Sequence, residues 1–261
     1  MESVMTKVTR FAPSPTGTLH IGGVRTALFN FVYSKQQKGK FLIRIEDTDV
    51  ERSTREFEEN ILKGLADMGI VPDETPVRQS ERSDLYQNSI SQIMDSGQAY
   101  YCDCSRERLD EMRSKQQANG LKPQYDGKCR NLNLDKSEKS VLRLKTPQTG
   151  ELIFHDLVRG EVIFQNSELD DLILVRSDGS PTYHFCNVID DHDQGVTNVI
   201  RGEDHLSNTP RQIHIQQALK LLLWNMHIYQ WCLGKTKKDY LKEMLLPACK
   251  IILIKAICSL P

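Results

Sequence analysis

RFAPSPTGTLHIGGVRTALFNF (residues 10–31) decides how the rest of the chain is read. Two prolines, three glycines and a histidine fall between Pro13 and Gly23, where an ordinary turn needs one or two such residues. Before them, "TKVTRFAP" reads as a short buried strand; after them Val24, Ala27, Leu28, Phe31 and Val32 recur at helical spacing until Lys38-Gly39. A glycine-rich connection from strand to helix brings backbone close to a ligand, and a helix N-terminus favours anions. His20, just before that terminus, can donate a hydrogen bond to a phosphate oxygen, while Gly22 and Gly23 leave room for a flat ring. The same residues also suit a rigid loop with a capping histidine, and the stretch alone leaves both readings open.

Working outward, "KFLIRIED" predicts a second strand, and Ser53-x-x-Glu56 a capping box ahead of a stripe of Phe57, Ile61, Leu62 and Leu65. Strand, helix, strand, helix predicts a parallel α/β sheet. A further helix is expected over 83–96, carried by Leu85, Ile90, Ile93 and Met94. The middle differs: two cysteines, a polar helix ending at Asn119-Gly120, then "VLRLKTP", "ELIFHDLVRGEVIF" and "DLILVRSDGSPTYHF", which alternate like strands joined by tight turns. This predicts an α+β insert between two halves of an α/β domain. "NVIRGEDHLSNTPRQIHIQQAL" returns to strand, loop and helix, with Ile213, Ala218 and Leu219 among the expected buried positions.

Chemistry-bearing residues sit where these strands end. Ligands of open α/β sheets lie at the carboxyl ends of strands. "RIEDTD" puts Glu46, Asp47 and Asp49 there, able to hold an amino group or a ribose, or to cap a helix. Arg201 at another strand end can clamp a carboxylate bidentately. Tyr183 and Asn187, four apart, can offer a hydroxyl and an amide to one ligand. Cys102-x-Cys104, with Cys129 and Tyr125 or Asn131 further on, fits either a zinc site or three free thiols.

With 39% hydrophobic and 26% charged residues among 261, the chain reads as a soluble globular protein large enough for two domains. No apolar run approaches a membrane span, no signal-peptide pattern opens the chain, and seven cysteines do not form a disulfide framework. A cytoplasmic, reducing setting without membrane attachment is expected. Net charge is −1 but uneven: over 220–261, seven lysines against Asp239 and Glu243 give +5, leaving −6 for residues 1–219. That tail holds Trp224, Trp231 and three cysteines but no arginine.

Taken together, "RFAPSPTGTLHIGG", "RIEDTD", "RLKTP…HDLVRGEVIF", "SDGSPTYHFCNVIDDHD" and "VIRGEDHLSNTPRQIHIQQAL" resemble, in order over about residues 6–219, the bacterial glutamyl-tRNA synthetases, which are class I aminoacyl-tRNA synthetases. The opening stretch resembles the first ATP-binding signature of that class, with Gly23 where many relatives carry a second histidine. The resemblance implies a Rossmann-type parallel sheet carrying an inserted α+β connective domain that holds the tRNA acceptor end. It implies that Thr18, His20, Gly22 and Gly23 receive ATP, with the latter three at the reacting centre. Arg10, Ala12, Ser14, Glu46, Tyr183, Asn187 and Arg201 are implied to line a glutamate pocket, with Arg201 facing the side-chain carboxylate. Cys102, Cys104, Tyr125 and Cys129 match a variant of the family's zinc site, while a histidine found in some relatives is Asn131 here.

The implied activity is ATP- and Mg²⁺-dependent conversion of L-glutamate to glutamyl-adenylate and its transfer to tRNA(Glu), by a monomer. A short paralogue that glutamylates queuosine in tRNA(Asp) and a non-catalytic nucleotide- or tRNA-binding module are the alternatives. The expected division is 6–97 and 183–219 for the two catalytic halves, the second incomplete, 98–182 for the insert, and 220–261 for an out-of-frame tail. Two family parts are missing: a Lys-Leu-Ser-Lys-Arg loop and a helical anticodon-binding half. Codons for "CLGKTKKDYLKEML" (residues 232–245), read one frame over, permit "GKDKKRLSKRD", which places the missing loop where the family has it. Reading the coding DNA from codon 210 onward tests this; a shifted frame that closes quickly would overturn it.

Overall fold

The computed structural model describes residues 6–49 and 51–229. The first half begins with β1 (Val8–Phe11), α1 (Ile21–Gln36), β2 (Lys40–Ile45), α2 (Arg55–Asp67), β3 (Val77–Arg78) and α3 (Ser83–Asp95). β1, β2 and β3 run parallel with β2 central, in a register that sets Phe11 beside Ile43. Every residue of β1 is buried, as a strand covered on both faces requires. One glycine is obligatory here: a Cβ on Gly39 would lie 1.9 Å from the Lys7 carbonyl oxygen, so only glycine lets the chain leave α1 and enter β2.

β4 (Ala99–Cys102), α4 (Arg106–Ala118), β5 (Val141–Leu144), β6 (Glu151–Asp156), β7 (Gly160–Gln165) and β8 (Ile173–Val175) follow. β4, β5 and β8 form an antiparallel sheet, whereas the β6–β7 hairpin joins β10 (Asn225–Tyr229). α5 (Tyr183–Asp193), β9 (Asn198–Gly202) and α6 (Thr209–Ala218) complete the described chain, with β9 parallel to β10. β9 starts beside β1, since the Thr197 N–H donates to the Val8 carbonyl (3.0 Å) and the Val8 N–H to Thr197 Oγ1 (2.9 Å). Leu142, Leu144 and Leu174 of the antiparallel sheet share one core with Ile93, Phe185, Val188, Ile215 and Leu219. This antiparallel sheet is thus packed directly on α3, α5 and α6.

Two sequence expectations are corrected. The α2 cap is Thr54, whose hydroxyl accepts from the Phe57 N–H (3.2 Å); Ser53 sits one residue too early because its N–H is bonded to the Asp49 carbonyl (2.9 Å). Tyr183–Phe185, read as strand, opens α5, because the turn at Asp178-Gly179 ends β8 and the following residues bury Phe185, Cys186, Val188 and Ile189 at helical spacing. Of the tail expected to be out of frame, residues 220–229 are described, with Met226 and Ile228 buried in β10; residues 230–261 and the shifted-frame loop lie outside the described residues.

Candidate functional site

The loop after β1 is strapped to the end of β2. The Glu46 N–H donates to the Pro13 carbonyl (2.9 Å), the Ser14 hydroxyl to the Glu46 carbonyl (2.8 Å), and the Thr54 N–H to the Pro15 carbonyl (3.1 Å). This explains the density of prolines: they fix the loop's path while their carbonyls serve as acceptors. The loop ends at His20, the N-cap of α1, whose Nδ1 accepts from the Gly23 N–H (3.4 Å). His20 and Thr18 are exposed, and no acidic side chain occupies the first turn of α1. A Cβ on Gly23 would already touch Leu19 Cδ1 (3.4 Å) and Phe11 Cζ (3.5 Å). These are ordinary van der Waals distances, so packing against β1 leaves room for a side chain at this position.

A cavity of about 380 Å³ lies where the carboxyl ends of β1, β2 and β9 meet the start of α5. Arg10, Ala12, Ser14, Glu46, Tyr183, Asn187 and Arg201, seven residues from four separate stretches, all line it, together with Phe11, Thr26, Ile200 and His205. Thr26 belongs to α1 and bonds back to the Gly22 carbonyl (3.0 Å), so the cavity adjoins the His20 loop. Of the acidic cluster only Glu46 reaches it. Asp47 accepts from the Ser80 N–H (2.9 Å) and hydroxyl (2.6 Å), and Asp49 pairs with Arg52 (2.5 Å).

Behind the cavity wall runs a buried chain of polar contacts. Asp191 Oδ1 accepts from Arg10 Nε (3.0 Å) and Arg44 Nη1 (2.5 Å). Arg44 Nη2 pairs with Glu46 Oε1 (3.3 Å), which also accepts from Asn187 Nδ2 (3.0 Å). Asn187 Oδ1 accepts from Gln212 Nε2 (3.2 Å), and Gln212 Oε1 accepts from Arg201 Nη1 (2.6 Å). Arg201 Nη2 donates to Thr209 Oγ1 (2.8 Å). Sequence reasoning missed Arg44, Asp191, Thr209 and Gln212. The signal was present for one of them: Tyr183, Asn187 and Asp191 are spaced four apart and so share a face of α5.

The electrostatics follow from burial. Burial pushes the Glu46 carboxyl up, against the pull of Arg44, the Asn187 amide and Arg10. Burial pushes Asp191 up too, but Arg10 and Arg44 outweigh it and hold that carboxyl below the usual range. Arg201 is 4% exposed and meets only neutral acceptors; among the described residues no carboxylate pairs with it. Burial pulls it down to about 10, and burial with the charges of Arg211 and Arg201 pulls His184 down to about 4. The charges of Asp191 and Glu46 act on Arg201 only from a distance, so among the described residues its guanidinium has no carboxylate in contact and can take an anionic group.

The cysteine cluster forms a second site. Cys102, Cys104 and Cys129 Sγ atoms all lie within 4.8 Å of one another, and Tyr125 Oη is 3.3 Å from Cys102 Sγ and 3.8 Å from Cys104 Sγ. Zinc–sulfur bonds of ~2.3 Å in a tetrahedron put sulfurs roughly 3.8 Å apart, so the donor set fits that ion. The Arg143 guanidinium stacks 3.9 Å from the Tyr125 ring centroid, while burial and the contact with Cys102 push the Tyr125 phenol well up, so it keeps its proton until a cation displaces it.

The comparisons agree with this architecture. Residues 6–242 match the family described as tRNA synthetases class I (E and Q), catalytic domain. Glutamate–tRNA ligase 2 of Halorhodospira halophila is 54% identical over 215 residues, 81% of this chain and 46% of that protein. Glutamate–tRNA ligase of Francisella tularensis subsp. novicida is 53% identical over 213 residues. A crystal structure of a glutamate tRNA ligase from Elizabethkingia meningosepticum in complex with its amino acid superimposes with a TM-score of 0.81 at 35% identity, over 93% of this chain and 54% of that one. The chain thus spans about half the length of the curated relatives it matches. Its parallel strands, the cavity at their carboxyl ends and the match from residue 6 to residue 242 have one common account: the chain belongs to the class I tRNA synthetases (E and Q), as their catalytic domain.

Proposed function

We propose that this chain binds L-glutamate in the β1–β2–β9 cavity as the amino-acid site of a glutamate–tRNA ligase. The observation that carries the reading is the buried Arg201 guanidinium, held by neutral groups only, in the cavity that Glu46 also lines. An amino acid with an acidic side chain supplies both complements, a carboxylate for Arg201 and an ammonium for Glu46. Tyr183 and Asn187 set the ligand's orientation, and Arg10 sits beside them, held by Asp191.

The glutamate α-carboxylate attacks the α-phosphorus of Mg²⁺-bound ATP and displaces pyrophosphate to give glutamyl-adenylate. A terminal ribose hydroxyl of the tRNA then takes the glutamyl group and releases AMP. Thr18, His20 and the first-turn amides of α1, including those of Gly22 and Gly23, are the groups that hold the ATP phosphates. Catalysis then consists of positioning and charge stabilisation by fixed groups, with no covalent enzyme intermediate. The acceptor is tRNA(Glu), in keeping with the names of the relatives. Among the described residues, four thiols without disulfide partners suit a cytoplasmic setting.

Titration calorimetry of the full chain with L-glutamate and L-glutamine tests the reading. Glutamate is expected to bind at least about 30-fold more tightly, the lower bound of losing a buried charge partner. Acid adds a sign. Below its raised value Glu46 is protonated and no longer attracts the ligand's ammonium, so affinity should fall as pH drops through that range and recover above it. Equal affinities for the two amino acids would sink the reading.

We also propose that Cys102, Cys104, Cys129 and the Tyr125 phenolate hold zinc. Burial pushes the Cys104 thiol up to about 11, so it keeps its proton at neutral pH until a cation displaces it. Metal analysis should find about one zinc per chain, and chelation should lower the melting temperature. Zinc content near zero after refolding with zinc present would remove the proposal.

A further inference from the structure

We propose that Gln212 and Thr209 determine the cavity's preference for an anionic side chain, because they tie down the Arg201 guanidinium with neutral acceptors and leave its charge for the ligand. The proposal rests on reading the cavity as a glutamate site.

Both residues lie on α6, outside the cavity lining, and both are fully buried. A guanidinium has donors and no acceptor, so the oxygen of the Gln212 amide is the atom that faces Arg201 Nη1 (2.6 Å). The amide nitrogen then points to Asn187 Oδ1 (3.2 Å), and Asn187 in turn donates to Glu46 Oε1 (3.0 Å). One glutamine thereby orients the group that faces a ligand carboxylate and, through Asn187, the group that faces a ligand ammonium. Thr209 Oγ1 takes the second terminal nitrogen, Nη2 (2.8 Å), from the other side.

The contact with Arg201 does not by itself require neutrality at these positions, although at 212 only an amide also donates to Asn187. A glutamate at 212 or an aspartate at 209 would still accept from Arg201, and would do so more strongly. The buried arginines elsewhere in the wall are treated that way: Arg10 has Asp191, and Arg44 has Asp191 and Glu46. Arg44 also meets an amide, Gln194 (3.0 Å), but of the three only Arg201 meets an amide and a hydroxyl with no carboxylate in contact among the described residues. A carboxylate there would neutralise the cation inside the wall and repel a second carboxylate arriving from the cavity. An uncharged amide side chain would suffer neither effect. Gln212 and Thr209 are therefore positioning residues whose lack of charge is the property that selects the substrate.

The test measures L-glutamate and L-glutamine affinities for the full chain and for Gln212→Glu, Thr209→Asp and Gln212→Met. Gln212→Glu is expected to weaken glutamate binding about 100-fold and to change glutamine binding less than about 5-fold. Thr209→Asp should shift the ratio the same way from the other face of the guanidinium. Since Asp is favourable at a helix start, it also supplies the charge if Gln212→Glu does not fold. Gln212→Met, similar in volume and uncharged, should weaken both ligands while keeping the preference for glutamate. If the charged variants keep that preference, or Gln212→Met loses it equally, the proposal is overturned while the glutamate site stands. If the unmodified chain itself shows no preference, it is the reading of the cavity that fails.

Discussion

Asp191→Ala is expected to destabilise the fold by about 3–5 kcal/mol, the range for removing one partner of a buried ion pair. Asp191 is fully buried, and its Oδ1 holds Arg10 (5% exposed) and Arg44 (0% exposed) at once. Arg44 keeps Glu46 at 3.3 Å and Asp190 at 3.7 Å after the change. Arg10 has no second ion pair among the described residues, so only the more distant charge of Glu46 is left to it on β1. The expected fall in melting temperature is on the order of 10 °C, read by circular dichroism. Asp191→Asn, which keeps an oxygen facing the arginines, should cost less. The pH dependence carries its own sign. Because Arg10 and Arg44 hold Asp191 below the ordinary carboxylate range despite its burial, its contribution is fully present above the unfolded value of about 3.9. It is lost as pH falls through the lower folded value. The gap between wild type and Asp191→Ala should therefore be constant near neutrality and close in strong acid. A melting point within about 2 °C of the unmodified chain at pH 7 would show that Arg10 and Arg44 do not depend on Asp191.

Much of the sheet was legible because local signals agree. β1 (VTRF) and β2 (KFLIRI) are short stretches rich in β-branched and aromatic residues, and the proline-glycine stretch between β1 and α1 can only be a connection. The lining of the cavity was legible through a resemblance across five segments, not through spacing, since residues such as Arg10 and Arg201 are distant in sequence. What supports that lining was not legible. Arg44 reads as one polar residue in the strand "KFLIRI", and nothing local says that Asp191, 147 residues later, will reach it. Gln212 reads as a surface residue of a helix rich in glutamine, yet burial of α6 against α5 hides it completely. The α2 cap fell on Thr54 because a backbone bond from Ser53 to Asp49 moved the helix start by one residue. Such contacts are set by tertiary packing, and single-sequence periodicity carries no record of them.

Arg201→Met is expected to separate binding from stability. The substitution removes the group that faces the ligand carboxylate, and loss of one partner of a buried charged contact corresponds to roughly a 10³-fold fall in glutamate affinity. Its effect on folding has the opposite tendency. Burial with no carboxylate in contact pulls Arg201 down to about 10, which means that the fold carries this cation at a cost. Methionine fills similar space without charge, and Thr209 can turn its hydroxyl toward the His205 carbonyl at 3.5 Å. Only Gln212 Oε1 loses its partner, a penalty of about 1–3 kcal/mol that the removed charge offsets. The melting temperature is thus expected to stay within a few degrees of the unmodified chain or to rise, while calorimetry with L-glutamate shows little heat. A structural arginine behaves differently, since its loss lowers stability and binding together, as expected for Asp191→Ala. If Arg201→Met lost ten degrees or more and still bound glutamate, Arg201 would belong to the scaffold, and the cavity's positive charge would have to be sought in Arg10.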